Sequence, residues 1–183
     1  MVYRFVILSD EVDNFRRDIT IDSDATFFDL HNAILESVAY TKDQMTSFFI
    51  CDEDWAKETE ITLIEMGSNP EEDSYVMDNV RLSEFLEDEG QALIYVFDYL
   101  ADRSFFVKLR EIIPGKTQEK AEVVRSEGKA PNQVSSMEDL NNYASQDTAL
   151  VMDEDFFEDT VNLDEYDEED FGNLMEGNPF DNY

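Results

Sequence analysis

Two aspartates four residues apart, Asp98 and Asp102, have the residue type and spacing best suited to catalysis in this chain. Tyr95, Tyr99 and Arg103 lie near them in the sequence. Paired carboxylates can divide general acid and general base roles when their environments separate their pKa values. In a turn, the same aspartates would accept backbone hydrogen bonds and pair with Arg103. We favour the turn, and a small metal-assisted hydrolase using Asp98 and Asp102 stands as an alternative.

The chain has one histidine, His31, and one cysteine, Cys51. A transition-metal site normally needs several histidine or cysteine ligands, so we predict no bound metal and no cofactor. His31 falls on the apolar face of a predicted helix, where we expect a packed, hydrogen-bonded side chain. Cys51 precedes Asp52, Glu53 and Asp54, whose negative charge should raise the thiol pKa and weaken it as a nucleophile. We therefore assign no catalytic residue.

Residues 153–164 partly match a calcium-binding loop, because Asp153, Asp155 and Asp164 fall at positions 1, 3 and 12 of an EF-hand count. The pattern fails at Phe157, where an oxygen ligand belongs, and at Glu158, where the sharp turn needs glycine. Nonspecific cation condensation on these carboxylates is the better interpretation.

The end of the chain is strongly acidic. Residues 130–183 contain sixteen Asp or Glu and no Lys or Arg, and we call residues 134–183, which hold all of these carboxylates, the acidic tail. Aromatic side chains stand among the carboxylates, and those assigned to partner binding are Phe156, Phe157, Tyr166 and Phe171. Such a segment can be attracted to a basic surface and then bury its aromatics. A merely solubilising tail is the other interpretation.

These observations favour a non-enzymatic, acidic protein-interaction module whose partner is a protein with a basic surface. A nucleic-acid backbone would repel the tail, so direct nucleic-acid binding is not expected. A DNA mimic that occupies a nucleic-acid-binding protein is a further alternative. The sequence leaves open the identity of the partner and the oligomeric state.

The compartment and solubility follow from cysteine usage and apolar runs. A single cysteine excludes an intrachain disulfide, so we expect a cytoplasmic protein. The longest apolar run, residues 92–97, is far shorter than the roughly 20 residues of a membrane span. We therefore expect no membrane association.

Hydrophobic residues make up 42% of the 183, which is enough for a core despite the net charge of -32. Alternation of side-chain character over residues 3–7 and 15–21 predicts two strands. A helix should follow, capped by Ser23 or Asp24, with apolar residues recurring at helical spacing from Phe27 to Val38.

Further elements complete a mixed α+β pattern. Leu82, Phe85 and Leu86 predict a short second helix that Gly90 would end. Four more strands are predicted at residues 48–51, 61–66, 92–97 and 105–113. The expected fold is α+β, a mainly antiparallel sheet of about six strands packed with two helices, plus an acidic C-terminal extension.

The predicted domain organisation has three parts. An α+β domain should occupy residues 1–115, and we expect it to fold without the rest of the chain. The polar residues 116–133 are interpreted as a linker or extended arm. The acidic tail, residues 134–183, should be disordered or ordered only on contact, because its apolar side chains cannot offset the conformational entropy lost on folding.

Several segments resemble the plasmid pRiA4b ORF-3-like family. Residues 3–8, 15–21 and 25–34 are similar to its opening hairpin and first helix, including the Leu-His pair at Leu30 and His31. Residues 93–109 resemble a family segment with a Tyr-Asp-Phe-Gly-Asp-like core between two strands. The resemblance extends to about residue 113 and implies a compact α+β fold in a cytoplasmic protein.

The chain departs from the family pattern at two places. The family commonly places histidines on the strand after the first helix, where this chain has Met45, Thr46 and Ser47. A Gly-Asp-Trp element of the family corresponds here to Ala101, Asp102 and Arg103. The resemblance therefore supports the fold more than any particular site.

Overall fold

Eight strands form a single sheet in the computed structural model, which describes residues 1–65 and 75–134. In chain order the strands are β1 (Val2–Leu8), β2 (Arg16–Asp22), β3 (Ser47–Cys51), β4 (Lys57–Thr62), β5 (Tyr75–Val76), β6 (Ala92–Asp98), β7 (Arg103–Ile113) and β8 (Glu122–Glu127). Across the sheet they run in the order β5-β4-β3-β6-β7-β1-β2-β8. All neighbours are antiparallel except β4 and β5. The α+β prediction is confirmed, with eight strands rather than about six.

Among the described residues there is one α-helix, α1 (Phe27–Val38). Its cap is Thr26 and not Ser23 or Asp24 as predicted, because Thr26 and Asp29 form a reciprocal capping box. The backbone N–H of Asp29 donates to Thr26 Oγ1, and Thr26 N–H donates to the Asp29 carboxylate. The helix ends at Ala39, which adopts a left-handed conformation with φ 57°.

The predicted second helix is wrong. Leu82–Glu84 form one 3₁₀ turn, in which the backbone N–H of Phe85 donates to the carbonyl of Leu82. Three apolar residues at i, i+3 and i+4 fit this single turn as well as they fit a helix, since both place these side chains on one side. The fold within the described residues is thus dominated by the sheet.

The core lies between α1 and one face of the sheet. Phe27, Leu30 and Ile34 are fully buried there. The ring of Phe27 meets Phe48 of β3 at 5.5 Å between centroids, and Phe48 meets Tyr95 of β6 at 4.7 Å. Aromatic rings at these separations add to the free energy of area burial, so this cluster fixes α1 over the middle strands.

Residues 116–133, interpreted above as a linker or extended arm, include β8, which pairs with β2. Arg17 of β2 donates to the backbone carbonyl of Gly128 at 3.0 Å, and the Gln118 side chain donates to the carbonyl of Thr20 at 2.9 Å. This stretch is therefore hydrogen-bonded to the sheet along much of its length. The acidic tail beyond Val134 lies outside the described residues.

Within residues 1–65 and 75–134, no helix is long and apolar enough to cross a membrane.

Candidate functional site

The turn between β6 and β7 contains the two aspartates singled out from the sequence, and we call residues 98–103 the hairpin tip. Asp98 Oδ1 accepts hydrogen bonds from the backbone N–H groups of Leu100, at 3.1 Å, and Ala101, at 3.3 Å. Asp98 Oδ2 lies 3.5 Å from a guanidinium nitrogen of Arg103. These contacts match the turn interpretation of Asp98, with its backbone hydrogen bonds and its Arg103 pair.

Arg103 is the most heavily bonded side chain of the tip and is only 7% exposed. Its guanidinium donates to the carboxylate of Glu11 in the β1–β2 turn, with the shortest distance 2.7 Å. It also donates to the backbone carbonyl of Asn132 at 2.7 Å and lies over the ring of Phe97 at 5.1 Å. One buried cation thus connects the β1–β2 turn, the hairpin tip and the segment that follows β8.

Asp102 is placed differently from Asp98. Its side chain is 80% exposed, and its carboxylate lies 3.7 Å from Lys57 Nζ at the start of β4. Its backbone has φ 50°, a left-handed conformation that aspartate tolerates in turns. In the described contacts the two aspartates have different cationic partners, and one is largely buried while the other faces solvent. The two carboxylates thus lie in different environments within one turn.

Tyr99 is tied to the neighbouring strands by its hydroxyl group. The hydroxyl lies 2.7 Å from Glu60 Oε1 of β4 and also contacts the Ser47 hydroxyl of β3, which is itself 2.8 Å from the same carboxylate oxygen. The two hydroxyl protons are shared among these three contacts. Burial is the main reason that the pKa of Tyr99 rises to about 12, and the Glu60 carboxylate adds to this rise. No sequence pattern linked Ser47 or Glu60 to the hairpin tip, since each lies far from it along the chain.

Leu100 follows Tyr99 and is 90% exposed, the highest value among the large hydrophobic side chains of the described residues. Its backbone N–H donates to Asp98 Oδ1, as does that of Ala101, and the hydroxyl of Tyr99 is bonded to Glu60. The hairpin tip therefore presents an apolar side chain on a turn fixed at both ends.

His31 lies inside the core, as predicted from its position on the apolar face of α1. Its Nδ1 is 2.8 Å from the hydroxyl of Tyr95 and 3.3 Å from Thr46 Oγ1, and its ring stacks on Phe28. Burial lowers the pKa of His31 to about 4, with a smaller contribution from Lys42. At neutral pH His31 is therefore an uncharged, hydrogen-bonded core residue.

Cys51 is buried at the end of β3. Burial is the largest cause that raises the pKa of its thiol to about 11, and the nearby Asp52 and Glu58 carboxylates add to it. The sequence predicted the direction of this shift from charge alone, whereas desolvation dominates it. No group of three or more histidine, cysteine or acidic side chains arranged to hold a metal occurs within residues 1–65 and 75–134.

The residues assigned to partner binding, Phe156, Phe157, Tyr166 and Phe171, lie outside the described residues. The same holds for the carboxylates of the EF-hand count.

Within residues 1–65 and 75–134, one helix packs on a mostly antiparallel sheet, and this arrangement defines an α+β fold. The plasmid pRiA4b ORF-3-like family matches residues 2–173, which is nearly the whole chain. The chain belongs to this family. The match extends well beyond residue 113, where the sequence resemblance ended.

The solved structures include a chain of similar fold. A crystal structure of a protein of unknown function from Methanosarcina mazei Go1 has a TM-score of 0.56 and 19% sequence identity, over 68% of each chain. At this identity the likeness shows the fold alone. No curated protein matched the sequence.

Proposed function

We propose that this chain is a non-enzymatic protein-interaction module whose acidic tail binds a partner protein with a basic surface. One observation carries the proposal, namely the distribution of charge along the sequence. Residues 130–183 hold sixteen carboxylates and no Lys or Arg, and residues 1–129 hold thirteen basic against 29 acidic residues, a net charge of -16 of their own. The rest of the chain is therefore also negative, so the cations that attract the tail have to come from a partner.

The aromatic residues of the tail would form the contact with the partner once charge has brought the two together. Charge acts at long range and speeds encounter, whereas burial of Phe156 and Phe157 would slow release of the bound partner. The turn role of Asp98 supports a function without catalysis, because its oxygens are already used by two backbone N–H groups and Arg103.

The test uses the full chain, tagged and recovered from its native cells at low and high salt, followed by binding kinetics with the purified partner. Replacing Phe156 and Phe157 with Ala should raise the dissociation rate roughly tenfold or more, since a few buried aromatics carry much of an interface's binding free energy. Raising the ionic strength until the Debye length is ~8 Å or less should chiefly lower the association rate. Phe28→Ala, an exposed aromatic on α1, is the matched control.

If the double-Ala variant binds and releases the partner like the parent chain, the aromatics contribute nothing and the tail is only a solubilising extension.

DNA mimicry is the second candidate function, favoured by the sixteen carboxylates of residues 130–183 without a single basic residue. A mimic occupies the nucleic-acid site of its partner, so duplex DNA should displace the chain from that partner. A partner held elsewhere on its surface should stay bound in the presence of DNA. The same purified complex therefore separates the two functions.

A further inference from the structure

We propose that the hairpin tip is a second protein-docking element, in which Leu100 inserts into an apolar pocket bordered by Lys or Arg on a partner protein. The proposal shares with the proposed function a basic partner surface, but it does not depend on the acidic tail. Leu100 is 90% exposed and projects from the tip, and the 44% exposed Tyr99 beside it extends the apolar surface.

The rigidity of this projection distinguishes it from an ordinary exposed leucine. Asp98 Oδ1 holds the backbone N–H groups of Leu100 and Ala101. The Tyr99 hydroxyl is held by Ser47 and Glu60 on the two adjacent strands. A turn whose backbone is already fixed loses little backbone entropy on binding, so more of the free energy gained by burying Leu100 remains as affinity.

Charge around the tip indicates the chemistry of the partner. The side chains in contact with the tip or belonging to it include four carboxylates and two cations, a local excess of two negative charges. They are Glu11, Glu60, Asp98 and Asp102 against Lys57 and Arg103. An anionic membrane or a nucleic acid would be repelled by this excess, whereas cations bordering an apolar pocket would be attracted.

The experiment introduces the photo-reactive amino acid p-benzoyl-phenylalanine in place of Leu100 in the full chain, with the same replacement at Ile64 as control. Ile64 is 52% exposed and lies outside the tip. After irradiation in the native cell, the cross-linked position on the captured protein is mapped by mass spectrometry. We expect it to lie among apolar residues with Lys or Arg beside them, and to be absent from the Ile64 control.

Affinity of the purified captured protein then completes the test. Leu100→Ser should weaken binding about tenfold or more, as loss of a buried leucine predicts, while Ile64→Ser should stay within about twofold of the parent chain. The proposal is overturned if position 100 gives no more cross-linked product than position 64. It is also overturned if the mapped site lacks basic residues, or if Leu100→Ser binds like the parent chain.

The two proposals fail separately. If the Phe156 and Phe157 double variant loses affinity while Leu100→Ser does not, the tail binds and the hairpin tip does not. The reverse result would support docking by the tip and reject the aromatic contacts of the tail.

Discussion

Replacing Arg103 with Met should destabilise the chain more than any other single change at the hairpin tip. The Arg103 side chain is 7% exposed and donates hydrogen bonds to Glu11, Asp98 and the backbone carbonyl of Asn132. Methionine keeps much of the apolar length of arginine but leaves two largely buried carboxylates without their cation. Removal of one partner from a buried ion pair costs about 3–5 kcal/mol of unfolding free energy. For a chain of this size that corresponds to a fall of roughly 6–20 °C in the thermal midpoint.

The matched control is Lys57→Met, which breaks the exposed pair with Asp102 in the same hairpin tip. Exposed pairs contribute about 1 kcal/mol or less, so this variant should unfold close to the parent chain. Urea denaturation followed by circular dichroism measures both free energies. Adding Glu11→Gln to Arg103→Met should recover part of the loss, because one uncompensated buried charge is removed.

If Arg103→Met costs no more than Lys57→Met, the buried network does not hold the tip together and the argument from its geometry is wrong.

Three further predictions concern the core, the thiol and the boundary of the folded part. His31 has a folded pKa of about 4 against 6.5 when unfolded, so the unfolded chain binds the extra proton between these values, and stability should fall by about 3 kcal/mol as pH drops from 6.5 to 4. The free energy of unfolding should be measured by denaturation at several pH values for the parent chain and for His31→Gln. The parent chain should lose about 3 kcal/mol more than the variant between pH 6.5 and 4. The pKa of the Cys51 thiol is raised to about 11 from 9.0, so its thiolate fraction at pH 8 is about a hundredfold lower in the folded chain. Alkylation by iodoacetamide, measured by mass spectrometry, should therefore be roughly a hundredfold slower in the folded chain than in urea. A chain ending after Val134 should melt at a higher temperature than one ending after Lys116, because only the longer chain keeps β8 and the bond from Arg103 to Asn132; equal midpoints would contradict this.

Burial determined which elements could be predicted from the sequence. Helix α1 is predictable because apolar residues recur at helical spacing along its buried face. The strands of the first hairpin are predictable because side-chain character alternates along them, although both faces of β1 are buried. The sequence pattern predicts a strand at residues 61–66, whereas β4 occupies Lys57–Thr62. The start of this strand is missed because its exposed positions carry Lys57, Glu58 and Glu60 instead of apolar residues. Strand β8 is exposed at nearly every position and has no hydrophobic periodicity to detect. Exposed strands depend on their neighbours for backbone hydrogen bonds, and a neighbour is not visible in a local pattern.

The candidate site was predictable only in its local part. Asp98 and Arg103 were proposed as turn partners because they are close in the sequence. Glu11 and Asn132 complete the Arg103 network from distant parts of the chain, and Thr46 and Tyr95 do the same for His31. Contacts of this kind follow from strand order, which one sequence does not reveal.

The strand order also has a consequence for synthesis of the chain. Strand β1 is made before the other strands of this sheet, yet it lies between β2 and β7, so one of its edges lacks its full partner until Ile113 has been made. At roughly 5–20 residues per second, the first hairpin would wait several seconds or more with an apolar edge unpaired. Completion of β2 needs still later residues, up to Glu127. The centre of the sheet can therefore close only after Ile113 has been made, and the β1 edge exposed during that interval is where pairing with another nascent chain would begin.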